Sequence, residues 1–266
     1  MAIKLYWCRG KGRDDIARRN FGDYLSPLLV EMLSGKPVIY APVHKADMMA
    51  IGSIMPRLAK ARRFLLPRRL HVWGAGTDAP GLSFSSRHFY HAVRGVRTLE
   101  QIAGLKSAPA LGDPGLLVSQ WWGGRAKPEK RYRLGLIPHY VDRDNPLIRE
   151  VAQKKGVCLI DVFDPIEEVL RRVQSCDYVM SSSMHGLIVA DAFGIPNRRL
   201  ILSQGRISDF KFSDYYSAFG LDEPPALQAS VLSGPGPVDP EMLIGEYQRP
   251  GLAEIQMQLM KAFPAL

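Results

Sequence analysis

The 266-residue chain carries 35 lysines and arginines against 26 acids, a formal charge of +9, with 46% hydrophobic and 23% charged residues. That balance is the one of a folded globular protein rather than a disordered or fibrous chain. No apolar run approaches the length of a membrane helix, and the N-terminus Met-Ala-Ile-Lys-Leu-Tyr-Trp-Cys-Arg turns charged too soon for a secretory core, so a soluble cytoplasmic protein is expected.

The charge is unevenly spread: +11 over residues 1–125 and −2 over residues 126–266. Such asymmetry is expected where one half faces an anionic partner, whether nucleic acid, a membrane surface or a phosphorylated substrate. Three cysteines, Cys8, Cys158 and Cys176, are widely spaced and odd in number, which favours buried free thiols over a disulfide framework. No CxxC or HxxxH pair offers a metal site, and neither metal nor cofactor is expected.

Short β-rich runs alternate with helical segments, the signature of parallel α/β units. Residues 3–7 read as a strand. Residues 23–33 read as a helix with Leu25, Leu28, Leu29 and Met32 along one face and a stop at Gly35. Strands are expected at 38–40, 47–51, 71–73 and 90–93, and a short helix at 99–105. Residues 123–131, Gly-Gly-Arg-Ala-Lys-Pro-Glu-Lys-Arg, are polar and rich in Gly, Pro and charge, so a linker is placed there. A second series follows, with strands at 134–137, 157–160, 178–180 and 200–202 and helices near 146–155, 165–175 and 185–194. A Pro/Gly-rich stretch at 222–240 then leads into a final helix over about 240–262. Two α/β domains, 1–125 and 126–266, are expected to face a cleft, with the last helix packing back across their junction.

The most informative stretch runs from Asp177 through Ser181-Ser182-Ser183-Met184-His185-Gly186 to Pro196. A strand enters three serines and a helix starts near His185. Ser183 is placed to cap that helix, and the free N–H groups and positive end of its first turn suit an anion. The imidazole beside it has a pKa near neutrality and can move protons. Spacing alone is equally compatible with plain caps and an edge histidine.

Asn20-Phe21-Gly22-Asp23 sits between the first strand and first helix, where Gly22 permits close backbone approach and Asn20 and Asp23 offer polar groups; it also reads as a helix cap. The turn His71-Val-Trp-Gly-Ala-Gly-Thr77 lacks full GxGxxG spacing, so a dinucleotide site is not supported. Arg94 and His139 each close a strand, where cleft residues belong. Arg206 and Lys211 follow the strand after the histidine helix as candidate anion clamps. The segment 56–69, which includes Arg57, Arg62, Arg63, Arg68 and Arg69, has six cations and no acid. It reads either as a surface for anionic membrane or as a solvated basic helix.

Together these stretches resemble the polysaccharide pyruvyl transferase family. The pieces are Asn-Phe-Gly-Asp at 20–23, Ile-Gly-Ser-Ile at 51–54, Val-Trp-Gly-Ala-Gly-Thr at 72–77, Val-Arg-Gly at 93–95, Gly-Asp-Pro at 112–114, Ile-Pro-His at 137–139, and Ser-Met-His-Gly with its apolar helix. The resemblance implies a pair of Rossmann-like domains arranged as in glycosyltransferase-B enzymes. It implies transfer of the enolpyruvyl unit of phosphoenolpyruvate to two hydroxyls of one sugar, with release of phosphate and with His185 as the acid. Many members carry arginine two residues before that histidine, where this chain has Ser183. That form looks similar to the exopolysaccharide branch, including the enzymes of xanthan and succinoglycan assembly, whose acceptors are lipid-linked oligosaccharides at the inner membrane face. Donor contacts are then expected from Ser183, Arg206, Lys211, His139 and Arg94, and acceptor or cleft contacts from Asn20, Gly22 and Asp23.

The residues suit this chemistry apart from the resemblance. Phosphoenolpyruvate carries a carboxylate and a phosphate and needs several cations and N–H donors. The competing reading is a nucleotide-sugar glycosyltransferase on the same fold, with Glu223 as its acidic clamp. A nucleic-acid module is disfavoured because basic motifs interleaved with aromatics are absent.

Overall fold

The computed structural model describes residues 1–10, 15, 18–60, 69–234 and 236–266. The first half places β1 (Ile3–Tyr6), α1 (Phe21–Ser34), β2 (Val38–Tyr40), β3 (Met48–Met49), α2 (Pro56–Lys60), β4 (His71–Ala75), β5 (Phe84–Ser85), β6 (Phe89–Val93), α3 (Val96–Leu99), β7 (Ile102–Ala103), β8 (Ala110–Leu111) and α4 (Val118–Trp122) in chain order. Six of its strands form a parallel sheet ordered β2-β1-β3-β4-β6-β8, while β5 and β7 pair separately. The second half continues with β9 (Tyr132–Ile137), α5 (Pro146–Val151), β10 (Val157–Leu159), α6 (Ile166–Gln174), β11 (Cys176–Ser181), α7 (Met184–Ala192), β12 (Asn197–Ile201), α8 (Phe210–Ser217), β13 (Leu227–Gln228), α9 (Pro240–Ile244) and α10 (Leu252–Lys261). Its five strands are also parallel, in the order β10-β9-β11-β12-β13.

The chain is thus α/β with two separate parallel sheets. In each, the first strand is flanked by the second on one side and the third on the other. Ligands of open parallel sheets settle outside the carboxyl ends of the strands at that reversal of order. It lies after β1 and β3 in one sheet and after β9 and β11 in the other.

Helices of both halves meet between the sheets. Leu25 and Leu29 of α1, Val169 and Leu170 of α6, Leu187 and Ile188 of α7, and Leu116 and Leu117 of the 3-10 turn Pro114–Leu117 belong to one buried cluster. α7 is buried along its whole length, as its apolar sequence requires. Residues 123–131, the expected linker, form no strand or helix and are mostly exposed.

Three expectations are corrected. The helix expected at 99–105 ends at Leu99, because the Thr98 N–H and hydroxyl are held by Asp214 (2.7 Å each) and residues 102–103 pair with β5 instead. The expected continuous helix 240–262 is two helices, separated at Gly245 and Gly251, both with positive φ (62° and 69°). The break brings Tyr247 and Arg249 to Asp191, at 3.0 and 2.9 Å. Only then does α10 reach the first sheet: the Trp73 indole donates to Leu259 O (2.9 Å), the Trp73 ring meets Phe263 edge-on, and Gln256 donates to Leu116 O (2.7 Å). Finally, Cys158 and Cys176 are buried as expected, but Cys8 is partly exposed. Of the basic segment 56–69, Arg62, Arg63 and Arg68 lie outside the described residues, while Arg57 and Arg69 are exposed. Among the described residues no helix is long and apolar enough to cross a membrane.

Candidate active site

β11 carries the chain to its carboxyl edge at the order reversal, and three consecutive serines turn it into α7. Ser181 is committed to the turn: its hydroxyl lies 2.8 Å from Ile137 O and from Ser183 O and accepts the Ser183 N–H. Ser182 accepts the His139 N–H (2.8 Å) and donates to Asp142 (2.7 Å), tying β11 to the loop after β9. Ser183 occupies the N-cap position but its side chain makes no capping bond, contrary to expectation. The first N–H groups of a helix have no intrahelical partner, so this terminus lacks a side-chain oxygen to answer them.

His185, in the first turn of α7, is 9% exposed, and its Nε2 is buried with no hydrogen-bond partner among the described residues. Buried polar atoms are nearly always paired, so such an orphan calls for an explanation by function. The other side of the ring is closed by the first half of the chain. A Cβ at Gly22 would come within 2.2 Å of His185 Nδ1 and 2.4 Å of its Cγ. Gly22 is therefore glycine because the imidazole occupies that space. Asn20 caps α1 by accepting the Gly22 N–H (3.0 Å), which fixes the approach. In Gly22→Ala the helix-propensity gain of up to ~1 kcal/mol is outweighed by overpacking, because the new methyl would fall 2.2–2.6 Å from Nδ1, Cγ and Cβ of a buried ring. The variant is expected to lose both stability and activity, because the imidazole must move. Thermal unfolding and turnover measured together would show this, and a fully active Gly22→Ala protein that melts with the wild type would refute the close packing.

Asp23 lies one residue on. Burial pushes its carboxyl up to about 7, opposed by the Cys8 thiol hydrogen bond and by Lys211. His185 is driven the other way, down to about 3, by burial and by the charges of Lys211, Arg94 and His139. His139 is lowered to about 4 by burial and Lys211, with Asp142 opposing. Its Nδ1 accepts the Val141 N–H (3.3 Å), so the neutral ring carries its proton on Nε2. Lys211, at the start of α8, is lowered to about 8 by burial and by Arg94 and Arg199. Four groups with displaced titration gathered where two strand reversals face each other have the character of a reaction site. The residues named from sequence converge here, from Asn20, Gly22 and Asp23 on one side and His139, Ser183, His185 and Lys211 on the other.

Arg94 is placed differently from the donor contact expected of it. It is fully buried, and its guanidinium bonds Asp214 through Nε (2.9 Å), Ser53 Oγ through Nη1 (2.8 Å) and Thr77 O. It acts on the site as a nearby fixed charge. Arg206 is exposed on the loop after β12, with Nη1 3.5 Å from Val141 O and its charge felt at His139. Lys211 makes no salt bridge among the described residues, which leaves its ammonium for a ligand. Lys211→Ala is accordingly expected to raise the KM for an anionic donor by on the order of tenfold or more, with a smaller change for the acceptor, since a hydrogen bond to a charged group contributes about 1.5–3 kcal/mol. Equal donor and acceptor effects in initial-rate kinetics would reassign it.

Three other glycines of the sequence pattern mark close approaches. A Cβ at Gly76 would meet the Arg94 guanidinium at 2.5 Å, and one at Gly95 would meet the Asp214 carbonyl at 1.7 Å. At Gly74, with φ of 80°, it would meet Pro114 Cδ at 2.0 Å. Two acids stand in stretches that the sequence pattern marks, with no role read for either. Asp113, fully buried, keeps one carboxylate oxygen without a partner among the described residues, and burial raises it to about 6. Asp191 at the far end of α7 gathers Asn197, Tyr215, Tyr247 and Arg249. Glu223, the acid of the competing reading, is held by Arg199 at 2.7 Å.

The sequence is similar to those of known proteins. Over 155 residues, 53% of this chain, the sequence is 35% identical to the uncharacterized protein L143 of Acanthamoeba polyphaga mimivirus, covering 54% of that protein. Over 214 residues, 76% of this chain, it is 28% identical to the succinoglycan biosynthesis protein ExoV of Rhizobium meliloti, covering 62% of that protein. The chain thus spans between half and two thirds of the length of these curated relatives. The family model of polysaccharide pyruvyl transferases matches residues 20–201, from Asn20 at the cap of α1 to the end of β12, a range that contains Asp23, His139 and His185. The chain belongs to the polysaccharide pyruvyl transferase family.

Proposed function

We propose that this protein transfers the enolpyruvyl unit of phosphoenolpyruvate to two hydroxyls of one sugar in a lipid-linked exopolysaccharide repeat. Support comes from the family, from similarity to a succinoglycan biosynthesis protein, and above all from one observation: the unpaired, buried His185 Nε2 beside Lys211 and His139. Each half would be a Rossmann-like domain, 1–125 on the acceptor side and 126–266 on the donor side, arranged about the cleft as in glycosyltransferase-B enzymes. The separate parallel sheets support that division.

In the reaction, a proton goes to C3 of the donor and the first sugar hydroxyl forms a bond to C2. The C2–O bond to phosphate then breaks, phosphate leaves with the electron pair, and the second hydroxyl closes the ketal. The two hydroxyl protons balance the new methyl C–H and the departing phosphate. Lys211, the α7 N-terminus with Ser183, and Arg206 would meet the donor's phosphate and carboxylate, in place of the arginine that Ser183 replaces. His139 would donate from Nε2. His185 would deliver the proton to C3. The basic surface around Arg57 and Arg69 would face the anionic membrane that carries the acceptor.

Phosphate release from phosphoenolpyruvate, dependent on a lipid-linked oligosaccharide extract, tests the reading. In deuterated water the ketal methyl should gain solvent deuterium. Transfer of a sugar from a nucleotide donor with no phosphate release would support the glycosyltransferase reading instead, although Glu223 is already paired with Arg199.

A further inference from the structure

A cavity of about 820 Å³ opens where the start of α1 faces the loops after β9 and β10. Its floor is fixed by the Phe21 N–H, which donates to Val162 O (2.8 Å) across the two halves. Around it stand Arg19, Tyr24, Arg143, Asp161, Phe163 and Asp164. Two rings are set there by polar braces. The Arg19 guanidinium lies 5.2 Å from the Tyr24 ring centre, and Arg143 lies 5.6 Å from that of Phe163. Asp161 accepts the Phe163 N–H (3.0 Å) and pairs with Arg143 (2.6 Å), so one carboxylate holds both ring and cation. Arg19 Nε is buried and has no partner among the described residues.

The lining is not cationic: it carries Arg19 and Arg143 against Asp15, Asp161 and Asp164, and Arg143 is neutralised by Asp161. A phosphate site would show surplus positive charge. Rings bordered by carboxylates and guanidinium N–H groups suit a neutral polyhydroxylated ligand, with C–H faces on the rings and hydroxyls on the charged edges. A line of rings runs from the cavity wall to the reaction site. The His139 ring lies 4.3 Å from that of Tyr140, and Tyr140, 50% exposed, lies 6.3 Å from Phe163.

We propose that this cavity is a saccharide subsite that holds neutral sugar residues of the acceptor chain beside the one being modified, with Tyr24 and Phe163 as stacking rings inside it and the exposed Tyr140 extending that platform toward the reaction site. The inference rests on the transfer reading for the word acceptor, but its test does not depend on transfer. Saturation-transfer NMR and titration with cellotetraose and maltotetraose as probes should show wild-type binding. Affinity should fall on the order of tenfold in Phe163→Ala and in the surface variant Tyr140→Ala, with phosphoenolpyruvate binding unchanged. Unchanged saccharide binding in both variants, or none by the wild-type protein at millimolar probe, overturns the subsite and leaves the transfer reading standing. Displacement of the saccharide by uridine diphosphate likewise overturns it, in favour of a nucleotide pocket. Loss of saccharide binding in the variants of a protein that binds no phosphoenolpyruvate upholds the subsite while ending the transfer reading.

Discussion

His185→Ala should lose ~10²–10⁴ of turnover, the usual contribution of a positioned proton donor, while keeping its far-UV spectrum and most of its donor affinity. The fold should survive because α7 is held by Leu187, Ile188 and Val189 in the shared core and by Asp191 at its far end. The protonation state needs care. In the free protein burial and the neighbouring cations hold the imidazole down at about 3, so at neutral pH it is uncharged and cannot act as an acid. On the proposed reading the donor would change that balance, because a phosphate and a carboxylate beside Lys211 and His139 would favour the imidazolium. A pKa below the working pH before binding and higher after it means proton uptake on binding, never release. Calorimetric titration of phosphoenolpyruvate in two buffers of different ionisation enthalpy should therefore report uptake, and His185→Ala should diminish it. Asp23, at about 7, is another group poised to take up that proton, beside His139 and Lys211, and Asp23→Asn separates it from His185. If uptake persists in His185→Ala and vanishes in Asp23→Asn, the carboxyl is the acid and His185 orients the donor.

The longer strands, α1, α6 and α7, and the histidine are legible in the sequence because they rest on local rules. The strand-to-helix turn at 181–185 and the cap at Asn20 need only a few consecutive residues, and α1 begins two residues before the expected start because Asn20 supplies that cap. The family pattern could be read as an order of fragments, yet its physical content lies in contacts between fragments. Gly22 matters for His185, Gly76 for Arg94 and Gly95 for Asp214, pairs that lie far apart in sequence. For the same reason Asp191 looked like a polar residue in an apolar helix until Tyr215, Tyr247 and Arg249 arrived from distant segments. α8 was not anticipated, since Phe210-Lys-Phe-Ser-Asp-Tyr-Tyr-Ser217 mixes aromatic and polar residues without an evident apolar stripe. The long-range pairing of Arg94 with Asp214 removed an arginine from the expected donor contacts, and no spacing rule reports such a partner.

That pairing is expected to be among the most costly to disturb. Arg94 directly follows β6 of the first sheet and Asp214 lies on α8 of the second half, and both side chains are fully buried. The carboxylate also receives the Thr98 N–H and hydroxyl, each at 2.7 Å. Asp214→Ala strands a desolvated guanidinium and frees two donors on α3, so a loss of about 3–5 kcal/mol is expected. For a chain of this size that lowers the Tm by on the order of 10 °C. Replacing both partners with apolar residues, as in Arg94→Met with Asp214→Leu, should cost less than the two single changes added together, because no lone charge remains. The site gives an independent readout. Lys211 sits one turn before Asp214 on α8, so loosening that helix should raise the donor KM even at temperatures where Asp214→Ala is fully folded. A single variant that melts with the wild-type protein and keeps its donor kinetics would mean that the ion pair neither fastens the two halves nor positions the lysine.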